Sequence, residues 1–236
     1  MKRLIGLMAA TFFSLSANAA LVKINFDGEY YKLGDTPNAF HQSISGIKGY
    51  AIYESDTPGT VFGVTDTKNY RGALRGFGFE IYGDAGTVFS GEKTVADGAR
   101  GFGYVQIRNL PGIDSFGLAD IDLTPDEVVG GPDSLVRAGF TFRIAAKDAK
   151  AIDNSDLPGV FDPTIFNGQR NISLFLQRSP AVPGEIVSFN FNFWNLEDVT
   201  VEAVTQNVPE PGSLALLGMA LAGVVATRRK PRLGAR

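Results

Sequence analysis

Val187, Phe189, Phe191 and Phe193 alternate with Ser188, Asn190 and Asn192, a period of two that puts apolar side chains on one face of a strand. Val136, Ala138, Phe140, Phe142 and Ile144 repeat the pattern against Arg137, Gly139, Thr141 and Arg143. Shorter apolar segments at Leu21–Phe26, Ile47–Tyr53, Leu74–Tyr82, Gly101–Arg108 and Ile172–Leu176 read as further strands. Turn-forming clusters separate them: Asp56-Thr57-Pro58-Gly59, Gly83-Asp84-Ala85-Gly86, Gly130-Gly131-Pro132-Asp133 and Pro180 to Gly184. No amphipathic run of helical period interrupts the series. Short strands joined by turns predict an all-β fold, a single β-sandwich or jelly-roll-like domain over residues 20–207.

The two ends break this pattern. Lys2 and Arg3 precede an apolar stretch from Leu4 to Leu15, and Ala17-Asn18-Ala19 supplies a small-x-small triplet. That order predicts a signal peptide over residues 1–19, cut by signal peptidase so that the mature chain begins at Ala20. At the other end, Val208-Pro209-Glu210-Pro211-Gly212 leads into an uncharged run from Ser213 to Thr227, followed by Arg228-Arg229-Lys230. Residues 211–227 are just long enough for a transmembrane helix. The basic residues beyond, within a tail of residues 228–236, keep that tail cytoplasmic and leave everything before it outside. The two prolines fix φ and remove backbone donors, so the motif stays extended, while Glu210 marks the outer limit of the span.

Pro209-Glu210-Pro211, the short apolar span and the closing basic cluster resemble the PEP-CTERM sorting signal of Gram-negative bacteria, over residues 208–230. The resemblance implies processing by a membrane-embedded exosortase near the Pro-Glu-Pro motif, with Arg228, Arg229 and Lys230 as the stop signal. It also implies a context of exopolysaccharide or biofilm matrix. It implies nothing specific about residues 20–207.

Composition narrows the chemistry available to that domain. The chain has no cysteine and a single histidine, His41, so disulfides, thiolate metal sites and cysteine nucleophiles are excluded. His41 follows Phe40 in a polar stretch and reads as a surface residue. The formal charge is −3, but the ends hold Lys2, Arg3, Arg228, Arg229, Lys230, Arg232 and Arg236 against one acid, Glu210. Without them 15 basic and 24 acidic residues remain, a balance of −9. Such a surface is a poor partner for nucleic acid, whose phosphates need a positive face.

Candidate sites are few. Asp114, Asp120, Asp122, Asp126 and Glu127 fall in one stretch, and calcium takes oxygen ligands of this kind. Asp120, Asp122 and Asp126 are therefore the metal candidates, although the stretch lacks EF-hand spacing. The competing reading is a solvated acidic loop in which Pro125-Asp126-Glu127 starts a helical turn. Trp194, the only tryptophan, falls on the Asn-bearing face of its strand by parity, as a sugar-stacking platform or beneath a loop. Arg75-Gly76-Phe77-Gly78-Phe79 recurs as Arg100-Gly101-Phe102-Gly103-Tyr104, which reads as two neighbouring strands setting glycine opposite aromatics. No serine elbow or phosphate loop is present. The expected function is a non-enzymatic surface or matrix protein, structural or adhesive. A carbohydrate-binding module and a carboxylate-based glycoside hydrolase are the alternatives.

Overall fold

The computed structural model describes residues 20–30, 42–63, 66–96, 98–130, 135–147, 151–178 and 187–204. The signal peptide, His41 and the whole C-terminal signal lie outside the described residues. Among those described, no helix is long and apolar enough to cross a membrane.

Eleven strands form one antiparallel sheet: β1 (Leu21–Tyr30), β2 (Gly46–Glu54), β3 (Thr60–Val61), β4 (Thr67–Gly83), β5 (Gly86–Thr94), β6 (Phe102–Leu110), β7 (Ile113–Leu123), β8 (Val128–Gly130), β9 (Leu135–Ala145), β10 (Arg170–Arg178) and β11 (Val187–Val204). The order runs β2-β1-β11-β10-β9-β7-β6-β4, and β2 pairs again with β4, so eight strands close into a ring. The all-β expectation holds. In place of two separate sandwich sheets, however, a single sheet curls until its edges meet. Two long strands make this possible. The first part of β4 pairs with β6 and its second part with β2 and β5, while β11 runs from β10 to β1.

The curl has a local cause. Register shifts fall between Arg71 and Leu74 of β4 and between Leu118 and Ile121 of β7, on either side of β6. Between them Gly103 adopts φ +52°, and a Cβ there would lie 2.7 Å from the Ala119 carbonyl oxygen. Bulges increase twist and bend a strand, and three neighbouring strands bend here together. Asp120, in the β7 bulge, has φ +53°, a conformation that Asp tolerates better than most residues.

One face of the sheet is now an interior. Val22, Ile24 and Phe26 of β1 point inwards, as do Phe77, Phe79 and Ile81 of β4 and Phe140, Phe142 and Ile144 of β9. Phe26 lies 5.8 Å from Phe142, and Phe77 lies 5.0 Å from Phe140, contacts that cross the interior between strands that are not neighbours. Val136 departs from its expected place and is exposed. The echoed Gly-Phe-Gly motifs behave as structural strands: Gly76 and Gly78 face out while Phe77 and Phe79 face in, and the second copy meets β4 where Phe102 pairs with Leu74. Lys48, Glu80, Lys23 and Glu202 lie on the outer face as ion pairs. An apolar interior with a charged exterior is the reverse of a transmembrane barrel.

The segment 151–168 covers one end. Tyr53 Oη donates to the carbonyls of Pro158 and Gly159 at 2.9 and 3.2 Å, and Tyr70 Oη donates to Ser155 O at 2.6 Å. Buried Asp114 accepts the backbone N–H groups of Ala151 and Ile152 at 2.9 and 3.1 Å. Phe161 packs between Phe116 and Phe166, tilted against the first at 5.2 Å and edge-on to the second at 5.7 Å.

Candidate functional site

The stretch read as an acidic or calcium-binding loop is largely strand β7, followed by a 3-10 turn at Pro125–Glu127. Strand geometry and the bulge send its carboxylates in different directions. Asp120 lies 3.8 Å from Arg71. Asp122 takes two hydrogen bonds from Arg137. Glu127 accepts the Thr124 N–H at 2.8 Å and pairs with Lys93 at 3.0 Å, closing the turn as a capping box. Burial opposes ionisation of Glu127, but the Thr124 and Lys93 hydrogen bonds outweigh it and hold the carboxyl below its usual range. Asp126 is also lowered, first by its hydrogen bond with the Thr124 side chain. Among the described residues, no three acids or histidines converge on a point where a metal could sit. The turn expected at Pro125 is present. The three candidate aspartates do not form a common site.

The carboxylates of the β2/β4/β5 face are likewise engaged. A cleft of about 500 Å³ opens there over Gly78 and Gly91. Tyr50 lies flat over Gly78, where an added Cβ would come within 2.6 Å of its ring, and its hydroxyl donates to Glu92. Lys48 pairs with Glu80 at 3.2 Å, and Thr87 donates to the same carboxylate at 2.6 Å. Burial, then the Glu92 hydrogen bond and charge, push the Tyr50 hydroxyl up to about 12.

The outer face of β6, β7 and β9 is different in kind. There a cleft of about 450 Å³ is floored by Ser115 and Gly117, the small residues of β7, between the longer side chains of its neighbours. Tyr104, Gln106 and Arg108 rise on one side, Thr141 and Arg143 on the other, with Phe62 at the rim. Pairing places Arg108 opposite Ser115 and sets Gln106 and Arg143 on either side of Gly117. Arg108 Nε donates to Gln106 Oε1 at 2.7 Å, and Gln106 Nε2 donates to Asn69 Oδ1 at 2.9 Å. The Arg71 guanidinium sits 5.4 Å from the centre of the Tyr104 ring. Burial and the neighbouring Arg108 charge both pull the Arg143 pKa down. Lys23, Lys48, Lys68, Arg71, Lys93 and Arg137 have carboxylate partners; among the described residues Arg108 and Arg143, like Arg75, Arg100, Lys147 and Arg170, have none.

The row through Gly117 continues across the sheet. Arg143 pairs with Asn171, and Asn171 pairs with Trp194. Trp194 therefore lies two strands beyond the cleft in the same row, which continues to Glu29; its side chain lies outside the described residues. Asn171 Oδ1 is buried without a hydrogen-bond partner among the described residues. Sequence reasoning did not identify the arginines. They are 35 positions apart on strands separated by a third, and only the register brings them together.

The sorting residues Pro209, Glu210, Pro211, Arg228, Arg229 and Lys230 lie outside the described residues, as do Ala17 and Ala19. Ala20 is the first residue described, and its carbonyl accepts the Ser55 N–H and hydroxyl, both at 3.0 Å. A family model, the PEP-CTERM protein-sorting motif, matches residues 207–230. No curated protein and no solved structure matches the chain. The chain thus ends in the sorting motif of exported, envelope-associated proteins handled by an exosortase, and the match covers the tail alone.

Proposed function

We propose that this chain is a non-enzymatic, structural or adhesive protein of the cell surface. Its signal peptide sends residues 20–207 outside, and the tail holds or hands over the domain at the membrane through a helix at 211–227. The partners are signal peptidase, an exosortase-like enzyme and surface polysaccharide. The observation that carries this reading is the sorting motif at 207–230, which starts three positions after β11 ends at Val204. Carboxylates committed to Lys48, Arg71, Lys93, Arg137 and Tyr50 support a binding or structural role over hydrolysis by a carboxylate pair. The cleft over Gly117 favours a carbohydrate-binding module as the second reading.

Replacing Arg228, Arg229 and Lys230 together by glutamine, followed by fractionation of the native host, tests the tail. Loss of the positive-inside signal is expected to reduce envelope retention and leave unprocessed chain. A triple variant processed and localised like the wild type would remove that cluster from the sorting signal.

A further inference from the structure

The cleft between β6 and β9 sets two arginines beside a floor of small residues. At Arg143, burial and then the charge of Arg108 both disfavour the cation. Neither is neutralised by a carboxylate among the described residues, although the rest of the domain is rich in acids. Between them the floor is Gly117 and Ser115, while Asp120, which also lines the cleft, lies 3.8 Å from Arg71. We infer that this cleft binds the carboxylate of an acidic polysaccharide, a uronate-type sugar, with Arg108 and Arg143 as its two cationic arms.

The details favour a sugar acid over other anions. A planar guanidinium meets a carboxylate through two parallel hydrogen bonds, a geometry a lysine cannot supply. Gln106 and Thr141 line the same cleft, with Asn171 next in the row, and offer neutral groups suited to hydroxyls. Tyr104, its ring faced by Arg71, adds a flat apolar wall. A volume of about 450 Å³ is within the range of small-ligand sites.

The inference rests on the surface-protein reading for its choice of ligand, but its test does not depend on export. Purified full-length chain in detergent is titrated calorimetrically with polygalacturonate oligomers, neutral maltohexaose and sodium acetate. Polygalacturonate is expected to bind, with affinity falling as salt rises, while the other two give no measurable heat. Arg143→Gln and Arg108→Gln are each expected to weaken binding about 10-fold or more, from loss of a charged hydrogen-bonding arm. Arg143→Lys should recover only part of it. Each variant is checked by its melting temperature, and Thr141→Ala, at the exposed edge of the cleft, serves as a second, milder probe with a smaller loss. Maltohexaose binding as well as polygalacturonate, acetate binding with equal affinity per carboxylate, or folded arginine variants that bind like the wild type would each overturn the proposal. Binding that survives while a tail variant localises normally would break the sorting reading and leave this one standing.

Discussion

Arg137 grips Asp122 through two parallel hydrogen bonds, Nε to Oδ1 at 2.8 Å and Nη2 to Oδ2 at 2.6 Å. That geometry uses both oxygens of a carboxylate the sequence offers to calcium. Asp120 and Glu127 are similarly committed to Arg71 and Lys93, each on a different strand.

Calcium should therefore leave the domain unchanged. At millimolar calcium the melting temperature is expected to stay within about 1 °C of its value in chelator. Asp122→Asn, which breaks an exposed ion pair, should lower it by only about 1–3 °C. A calcium-dependent rise of several degrees that disappears in Asp126→Asn would restore the metal site.

The closed interior makes a sharper claim about neighbouring residues. Phe142 is 1% exposed and meets Phe26 across the core, while Thr141 beside it faces solvent. Phe142→Ala is expected to cost about 3–5 kcal/mol from lost transfer energy and the cavity left behind. Thr141→Ser should change stability by no more than about 0.5 kcal/mol. Thermal unfolding of the two variants decides it, and similar small losses at both would mean the sheet does not enclose a core.

Alkaline pH should find a weak point at Tyr50. Its folded pKa of about 12 lies above the ordinary value of 10.0, because burial and Glu92 both disfavour the phenolate. The associated stabilisation is complete below about pH 10 and is lost as pH rises through about 12. Tyr30, Tyr53 and Tyr70 are also raised by burial and act in the same direction. Stability measured by denaturant titration is expected to fall over that window, and less steeply in Tyr50→Phe. An identical pH profile in the variant would show that Tyr50 ionises as freely in the folded chain as in the unfolded one.

Strand β9 was legible in sequence because Ala138, Phe140, Phe142 and Ile144 keep an unbroken period of two. Strand β7 was not, because its bulge shifts the inward set from Phe116 and Leu118 to Ile121 and Leu123, and acids occupy the gap. Strand β5 hid for another reason: Phe89 is its only buried large side chain, and Gly91 lies where Phe79 needs room. Closure depends on Tyr53 meeting Leu74 and on Leu21 meeting Val204, pairings that no local pattern encodes. The sorting motif at 207–230, by contrast, is written in consecutive residues and was readable.

Strand β11 lies between β1 and β10 and is the last strand of the domain to be synthesised and exported. Until residues 187–204 have crossed, the ring is a cut loop with two open hydrogen-bonding edges, which are templates for pairing with other chains. Only the final segment before the tail seals both at once. The domain therefore cannot finish folding while its last strand is still inside the translocation channel, and a chain truncated before β11 would reach the outside as a sticky, unsealed sheet.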